Sequence, residues 1–221
     1  MDLLTANDKF GEYPNSYYAW NSVFLPSFEI SKGELKCDVC IVGAGYTGLS
    51  AAIHLAEEGY KVIVLEAQRV GFGASGRNGG QVGTGQRVNQ LDLEKLVGND
   101  NAHRLWDVSL EAVELVKKLS KDIKGCAFQP GIVHASHKKS MISDEHHYVD
   151  HLRKLYNYKK IQKLNREELR NIVNTEAYFG GYLDTGSGHV DPLNYVLGLA
   201  KKAHLKGVKI FEKTRALEIL Q

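Results

Sequence analysis

Residues 37–66 decide the fold: Cys37-Asp38-Val39-Cys40-Ile41-Val42 runs into Gly43-Ala44-Gly45-Tyr46-Thr47-Gly48, and the stretch closes on Val62-Ile63-Val64-Leu65-Glu66. The short apolar run over 37–42 has the character of a strand buried on both faces. The spacing predicts a helix over 46–58, with Leu49, Ala52, Ile53 and Ala56 as its inward stripe and Gly59 placed to stop it. A second apolar run over 61–67 completes strand, helix and strand within about 30 residues, the length of a βαβ unit. In the intervening turn Gly43 permits the tight bend, Gly45 lets backbone approach a pyrophosphate, and Gly48 lets the helix pack closely on its strand. The helix start at Tyr46 and Thr47 offers free N–H groups and the positive dipole end to phosphate. Glu66 stands 23 residues after Gly43, at the carboxyl end of the second strand, where a carboxylate can accept hydrogen bonds from both ribose hydroxyls. A 2′-phosphate would meet that charge unfavourably, which disfavours NADP.

Downstream lies a loop over 68–90 with seven glycines between Gly71 and Gly85, and a loop of that length inside a compact domain is functional or disordered. A domain that binds NAD has no need of a second glycine-rich segment directly after its second strand. A flavin extended from the same site needs backbone and small side chains along its ribityl chain and ring, with cationic help at the diphosphate. The candidate contacts are Ala67, Arg69, Gly73, Ala74, Ser75, Gly76, Arg77, Asn78, Gly79, Gly80 and Gln81. Ser75 and Arg77 suit phosphate, and 78–81 suit the isoalloxazine. FAD is therefore the expected cofactor.

Beyond the loop the pattern predicts helices over 91–97 and 100–121, a strand over 128–136, a helix over 140–158, a strand over 161–164 and a helix over 166–173. An extended run over 178–185 is expected to end in a turn, Gly186-Ser187-Gly188. Asp191 and Pro192 then open a helix to about residue 205 as N-cap and first helical residue, and a third buried strand follows over 208–214. Residues 217–221 are apolar enough to read as mid-strand. Residues 1–36 show neither helical nor strand period, yet seven of the chain's twenty aromatic residues lie between Phe10 and Phe28, which suggests an irregular arm over the body. The expected domains are this arm, a nucleotide-binding domain over 37–125 and 186–221, and part of a substrate domain over 126–185.

Composition narrows the class. The 221 residues are 43% hydrophobic and 24% charged, with a net charge of +2, which excludes a disordered or coiled-coil chain and gives no basic stripe for nucleic acid. Three cysteines are too few and odd for a disulfide framework, and with no apolar run near membrane-spanning length the expected location is cytoplasmic. Cys37 and Cys40, three apart on a strand, should point to opposite faces and not act as a redox or zinc pair. His146, His147 and His151 include an i, i+4 pair, but no third ligand accompanies them, and a solvated polar face is the expectation; no metal is implied. His189 reads as a turn residue.

The two glycine segments, 37–50 and 71–81, together with 186–214, resemble the D-amino acid oxidase-like flavoproteins from about Tyr17 onward. The resemblance implies an α/β fold: a Rossmann-like FAD-binding βαβ domain, part of a doubly wound parallel sheet, with part of an α+β substrate domain. It implies FAD-dependent oxidation of an amine C–N bond, γ-glutamylputrescine-like or amino-acid-like, by hydride transfer to flavin N5. By position it carries Ala216 to the adenine. No residue stands out as a catalytic base. Members of the family are about twice this length, so the expected chain is one half of such an enzyme. Its first strand would lack a neighbour on one side, which a complementing chain or a second copy could supply. The alternative is a remnant that keeps a nucleotide-binding half without catalysis.

Overall fold

The computed structural model describes residue 6 and residues 9–220, so the arm expected over 1–36 lies partly outside the described residues, as does Gln221. In chain order the elements are α1 (Tyr17–Asn21), β1 (Val39–Val42), α2 (Tyr46–Glu57), β2 (Val62–Leu65), β3 (Gln81–Val82), α3 (Gln90–Val97) and α4 (Asn99–Ser120). They continue as β4 (Gln129–Ser136), α5 (Ile142–Leu155), β5 (Ile161–Leu164), α6 (Arg166–Val173), β6 (Gly180–His189), α7 (Pro192–Leu205) and β7 (Lys209–Phe211). Short 3-10 turns lie at Ala74–Gly76 and Lys139–Met141.

Two compact units divide the chain. The first comprises Met1–Gly80, Leu119–Ala127 and Asp191–Gln221, and the second Gln81–Lys118 and Phe128–Val190. Residues 81–125 were expected in the nucleotide-binding part. The structure instead joins Gln81–Lys118 to the second unit, because β3 pairs with β6 and Trp106 of α4 lies in a core cluster with Val149, Leu152, Tyr158 and Ile161.

The first unit rests on a parallel sheet of order β1-β2-β7. Val39 to Val42 pair with Val62 to Leu65, and Ile63 to Leu65 pair with Lys209 to Phe211. The order is the one expected of a doubly wound sheet, and among the described residues the outer edge of β1 has no strand beside it. Central β2 buries Val62, Ile63 and Val64, as a strand covered on both faces must. Helices α2 and α7 pack together, burying Leu49, Ala52 and Ile53 from one and Leu193, Val196, Leu199, Ala200 and Ala203 from the other. The α7 N-terminus follows its sequence signature: the Asp191 carboxylate accepts the Asn194 N–H at 2.8 Å and Pro192 opens the helix. Two expectations fail here. The third strand stops at Phe211 rather than 214, since Lys213 takes φ +52° and turns the chain. Residues 214–220 form no strand, although the Thr214 N–H still donates to the Glu66 carbonyl at 2.9 Å, and Leu217, Ile219 and Leu220 stay exposed. In the arm, Tyr17 and Trp20 are 70% and 73% exposed, so these two rings do not cover apolar surface as expected.

The second unit is antiparallel. Ten-residue β6 runs through its centre, with β4 on one edge and β3 and β5 in tandem on the other. Gly186-Ser187-Gly188, expected as a turn, lies inside this strand. The glycines are there for close packing: a Cβ on Gly186 would stand 2.0 Å from the Tyr158 hydroxyl, and one on Gly188 would stand 2.2 Å from the Gln129 carbonyl oxygen. His189 is likewise no turn residue; it pairs with Gln81 on one edge of β6 and Gln129 on the other. His146 faces the carbonyl oxygens of Leu164 and Gly181, and His151 contacts Glu94 at 2.7 Å, so both have protein partners where a solvated face was expected. No metal-binding cluster occurs among the described residues, and the three cysteines are free thiols.

Candidate cofactor site

A cleft of about 410 Å³ opens in the first unit at the carboxyl ends of β1 and β2. Its walls are Val42–Gly45, Leu65–Gln68, Gly71–Ser75 and Thr214–Ala216.

The first wall is the glycine turn after β1. Gly43 prolongs the ladder through its N–H to the Leu65 carbonyl at 2.8 Å and takes φ +101°, a conformation that side chains resist. A Cβ on Gly43 would meet nothing within 4 Å, so the turn faces open space. A Cβ on Gly48 would lie 2.2 Å from the Gly43 carbonyl oxygen, the close helix approach that requires this glycine. α2 starts without a side-chain cap from Gly45, and the Tyr46 N–H donates to the Ser75 hydroxyl oxygen at 3.1 Å. Such a helix start, with its dipole, attracts an anion.

The second wall repeats the first, and the repeat is visible in the glycine spacing. Gly71-Phe72-Gly73-Ala74-Ser75-Gly76 has the same glycine spacing as 43–48. Gly71 takes φ +69°, and a Cβ on Gly76 would lie 2.3 Å from the Gly71 carbonyl oxygen, matching the Gly48 and Gly43 relation. The Gly71 N–H donates to the Ala44 carbonyl at 3.1 Å and zips the two turns together. A Cβ on Gly73 would also meet nothing within 4 Å, so the cleft between the turns is open to a ligand rather than filled by its own side chains.

Glu66 closes the far end. Its Oε2 accepts the Ala44 N–H and its Oε1 the Gln68 N–H, both at 2.9 Å. Each carboxylate oxygen keeps further acceptor capacity for hydroxyls. Gln68, Thr214 and Arg215 share this wall and were not singled out in the sequence.

Of the predicted contacts, Gly43, Gly45, Glu66, Ala67, Gly73, Ala74, Ser75 and Ala216 line the cleft, while Tyr46, Thr47, Gly48 and Gly76 are not among its lining residues. Arg69 departs from expectation: its guanidinium forms an ion pair with Glu212 at 2.8 Å and lies over the Tyr13 ring. Arg77 is exposed, with its Nε on the Phe72 carbonyl at 2.6 Å and its guanidinium over that ring. Asn78 donates to the Tyr46 hydroxyl at 3.1 Å, and the Tyr46 hydroxyl donates to the Pro192 carbonyl, so the second loop is tied to the starts of α2 and α7. Burial pushes the Tyr46 phenol up to about 12, which keeps that donor protonated. The Asn78 side-chain Oδ1 accepts the Gly80 N–H at 2.8 Å, Gly79 lies between them, and Gln81 belongs to β3 of the second unit.

A profile of the family described as FAD dependent oxidoreductase, DAO, matches residues 38–221. The chain belongs to this family. FAD is the family's cofactor, as the second glycine loop led us to expect. Two curated relatives are a probable oxidoreductase OrdL of Rhizobium meliloti, 39% identical over 91% of this chain and 48% of its own length, and the gamma-glutamylputrescine oxidoreductase of Escherichia coli, 37% identical over 94% of this chain and 49% of its own length. The chain spans about half the length of the curated relatives it matches. Among solved structures, the L-proline dehydrogenase of P. horikoshii superimposes with a TM-score of 0.63 at 22% identity, covering 89% of this chain and 47% of that one. Glycine oxidase of Bacillus cereus gives 0.59 at 24%, covering 84% and 50%. These two likenesses speak for the fold alone.

Proposed function

We propose that this DAO-family chain holds FAD in the cleft and serves the oxidation of an amine C–N bond, with a γ-glutamylated amine or an amino acid as substrate class. The observation that carries the reading is the open space between two zipped glycine turns, closed at one end by Glu66. Turn 43–48 and Ser75 would hold the diphosphate by N–H and hydroxyl groups, Glu66 the ribose, Ala216 the adenine, and 78–80 the flavin end. Bound FAD supplies the acceptor for the hydride leaving the carbon next to nitrogen. This chain's own part is to grip and orient; no side chain among the described residues is assigned as base.

The outer edge of β1, where Val42 is 60% exposed, is proposed as the pairing edge for a complementing chain or a second copy. Three free thiols support a cytoplasmic location.

Flavin absorbance and fluorescence of the purified chain test the reading. FAD uptake is expected, and Gly45→Val, whose side chain would sit against the Ser75 hydroxyl and in the diphosphate path, is expected to abolish it. Anaerobic bleaching by γ-glutamylputrescine or an amino acid would extend the result to turnover. Uptake without bleaching favours the alternative, a nucleotide-binding half without catalysis. Failure of the wild-type chain to take up FAD overturns the site.

A further inference from the structure

Behind the cleft wall runs a polar seam that ties the N-terminal arm to it. Glu212 is at its centre, with a side chain only 2% exposed. Its Oε1 accepts the Val70 N–H at 2.8 Å and its Oε2 the Phe28 N–H at 3.0 Å. Arg69 Nε lies 2.8 Å from the same Oε2, an ionic contact rather than an aligned hydrogen bond. The arm is fastened at further points around it. The Gly11 N–H donates to Gln68 Oε1 at 2.7 Å, the Tyr13 hydroxyl to the Val70 carbonyl at 2.8 Å, and the Ser31 N–H to the Thr214 hydroxyl oxygen at 3.1 Å. The Thr214 hydroxyl in turn donates to the Glu212 carbonyl at 3.0 Å.

Every body residue in this seam is a cleft-wall residue or lies within two positions of one: Gln68, Arg69 and Val70 stand between Glu66 and Gly71, and Glu212 and Thr214 lead into Ala216. A buried carboxylate costs much desolvation unless charges and N–H groups surround it, and removing its charge leaves those partners unmet. We infer that Glu212 is a positioning residue of the dinucleotide cleft, and that the arm it holds, 11–31, is a working part of that cleft. Glu212 sets the spacing between wall segments 66–71 and 212–216 by gripping Val70 from one side and the arm from the other. This rests on the reading of the cleft as an FAD site.

The test uses Glu212→Gln, which keeps the shape but removes the charge and one acceptor. Hydrogen exchange without FAD is expected to rise about tenfold in 11–31 and 66–71 while β2 and α2 stay protected, and the FAD dissociation constant is expected to rise about tenfold. Leu169→Ala, in the core of the second unit, supplies a control matched in lost melting temperature; its FAD affinity is expected to stay within about twofold. Should Glu212→Gln not fold, Tyr13→Phe is read in the same way with a smaller expected change. Unchanged exchange, exchange released with FAD affinity intact, or an equal loss of affinity in the Leu169 control would each overturn the inference. A wild-type chain that binds no FAD would instead overturn the site reading, and its exchange pattern would still report whether the seam exists.

Discussion

At Gly48 one missing methyl group decides whether helix and turn can meet. Gly48→Ala puts a Cβ 2.2 Å from backbone that cannot swing aside, and is expected to destabilise the chain by about 2 kcal/mol or more in a denaturant titration, with FAD binding lost alongside. Glu66→Ala removes a charged acceptor and frees the Ala44 and Gln68 amides; FAD binding is expected to weaken by about 1 to 3 kcal/mol, read as a dissociation constant. Both residues were legible in the sequence because local spacing alone fixes what a βα turn needs. Glu212 was not. Its partners Val70 and Phe28 lie 142 and 184 residues away, and only the folded sheet brings them together. The ion pair of Arg69, a candidate cofactor contact in the sequence, was hidden in the same way, because its carboxylate partner Glu212 is far off along the chain.

The elements with a clear period, α2, α6, α7 and the apolar strands β1 and β2, stand where their sequences place them. β6 does not, because glycine there makes room for the Tyr158 hydroxyl and for neighbouring backbone rather than for a bend, and the two uses are spelled alike. Helices α3 and α5 are joined through Glu94, whose Oε1 accepts from the Tyr156 hydroxyl at 2.6 Å and contacts His151 Nε2 at 2.7 Å. Burial raises the Glu94 pKa, but the hydrogen bonds from Tyr156 and His151 and the nearby His103 outweigh it and hold the group below the usual range. A carboxyl depressed in the folded state stabilises above its unfolded pKa, and that contribution is lost as pH falls through the folded value. Thermal melting is therefore expected to weaken as pH drops below about 4.3, and Glu94→Gln is expected to flatten that slope.

For the molecule as a whole, the parallel order β1-β2-β7 could be foreseen from the order of motifs, whereas the division at Gln81 could not, since β3 is two residues long and its membership depends on β6. The open edge of β1 makes a prediction at this scale. Sedimentation of the wild-type chain is expected to show concentration-dependent association, and a charge on that edge, Cys40→Lys, is expected to abolish it without loss of FAD binding. The arm carries a consequence of another kind. Its Phe28 amide ends on a side chain 184 residues further along, so during synthesis residues 11–31 can be seated only after residue 212 has emerged. Until that moment the arm must wait in the open, and its aromatic residues are what a chaperone or protease would meet.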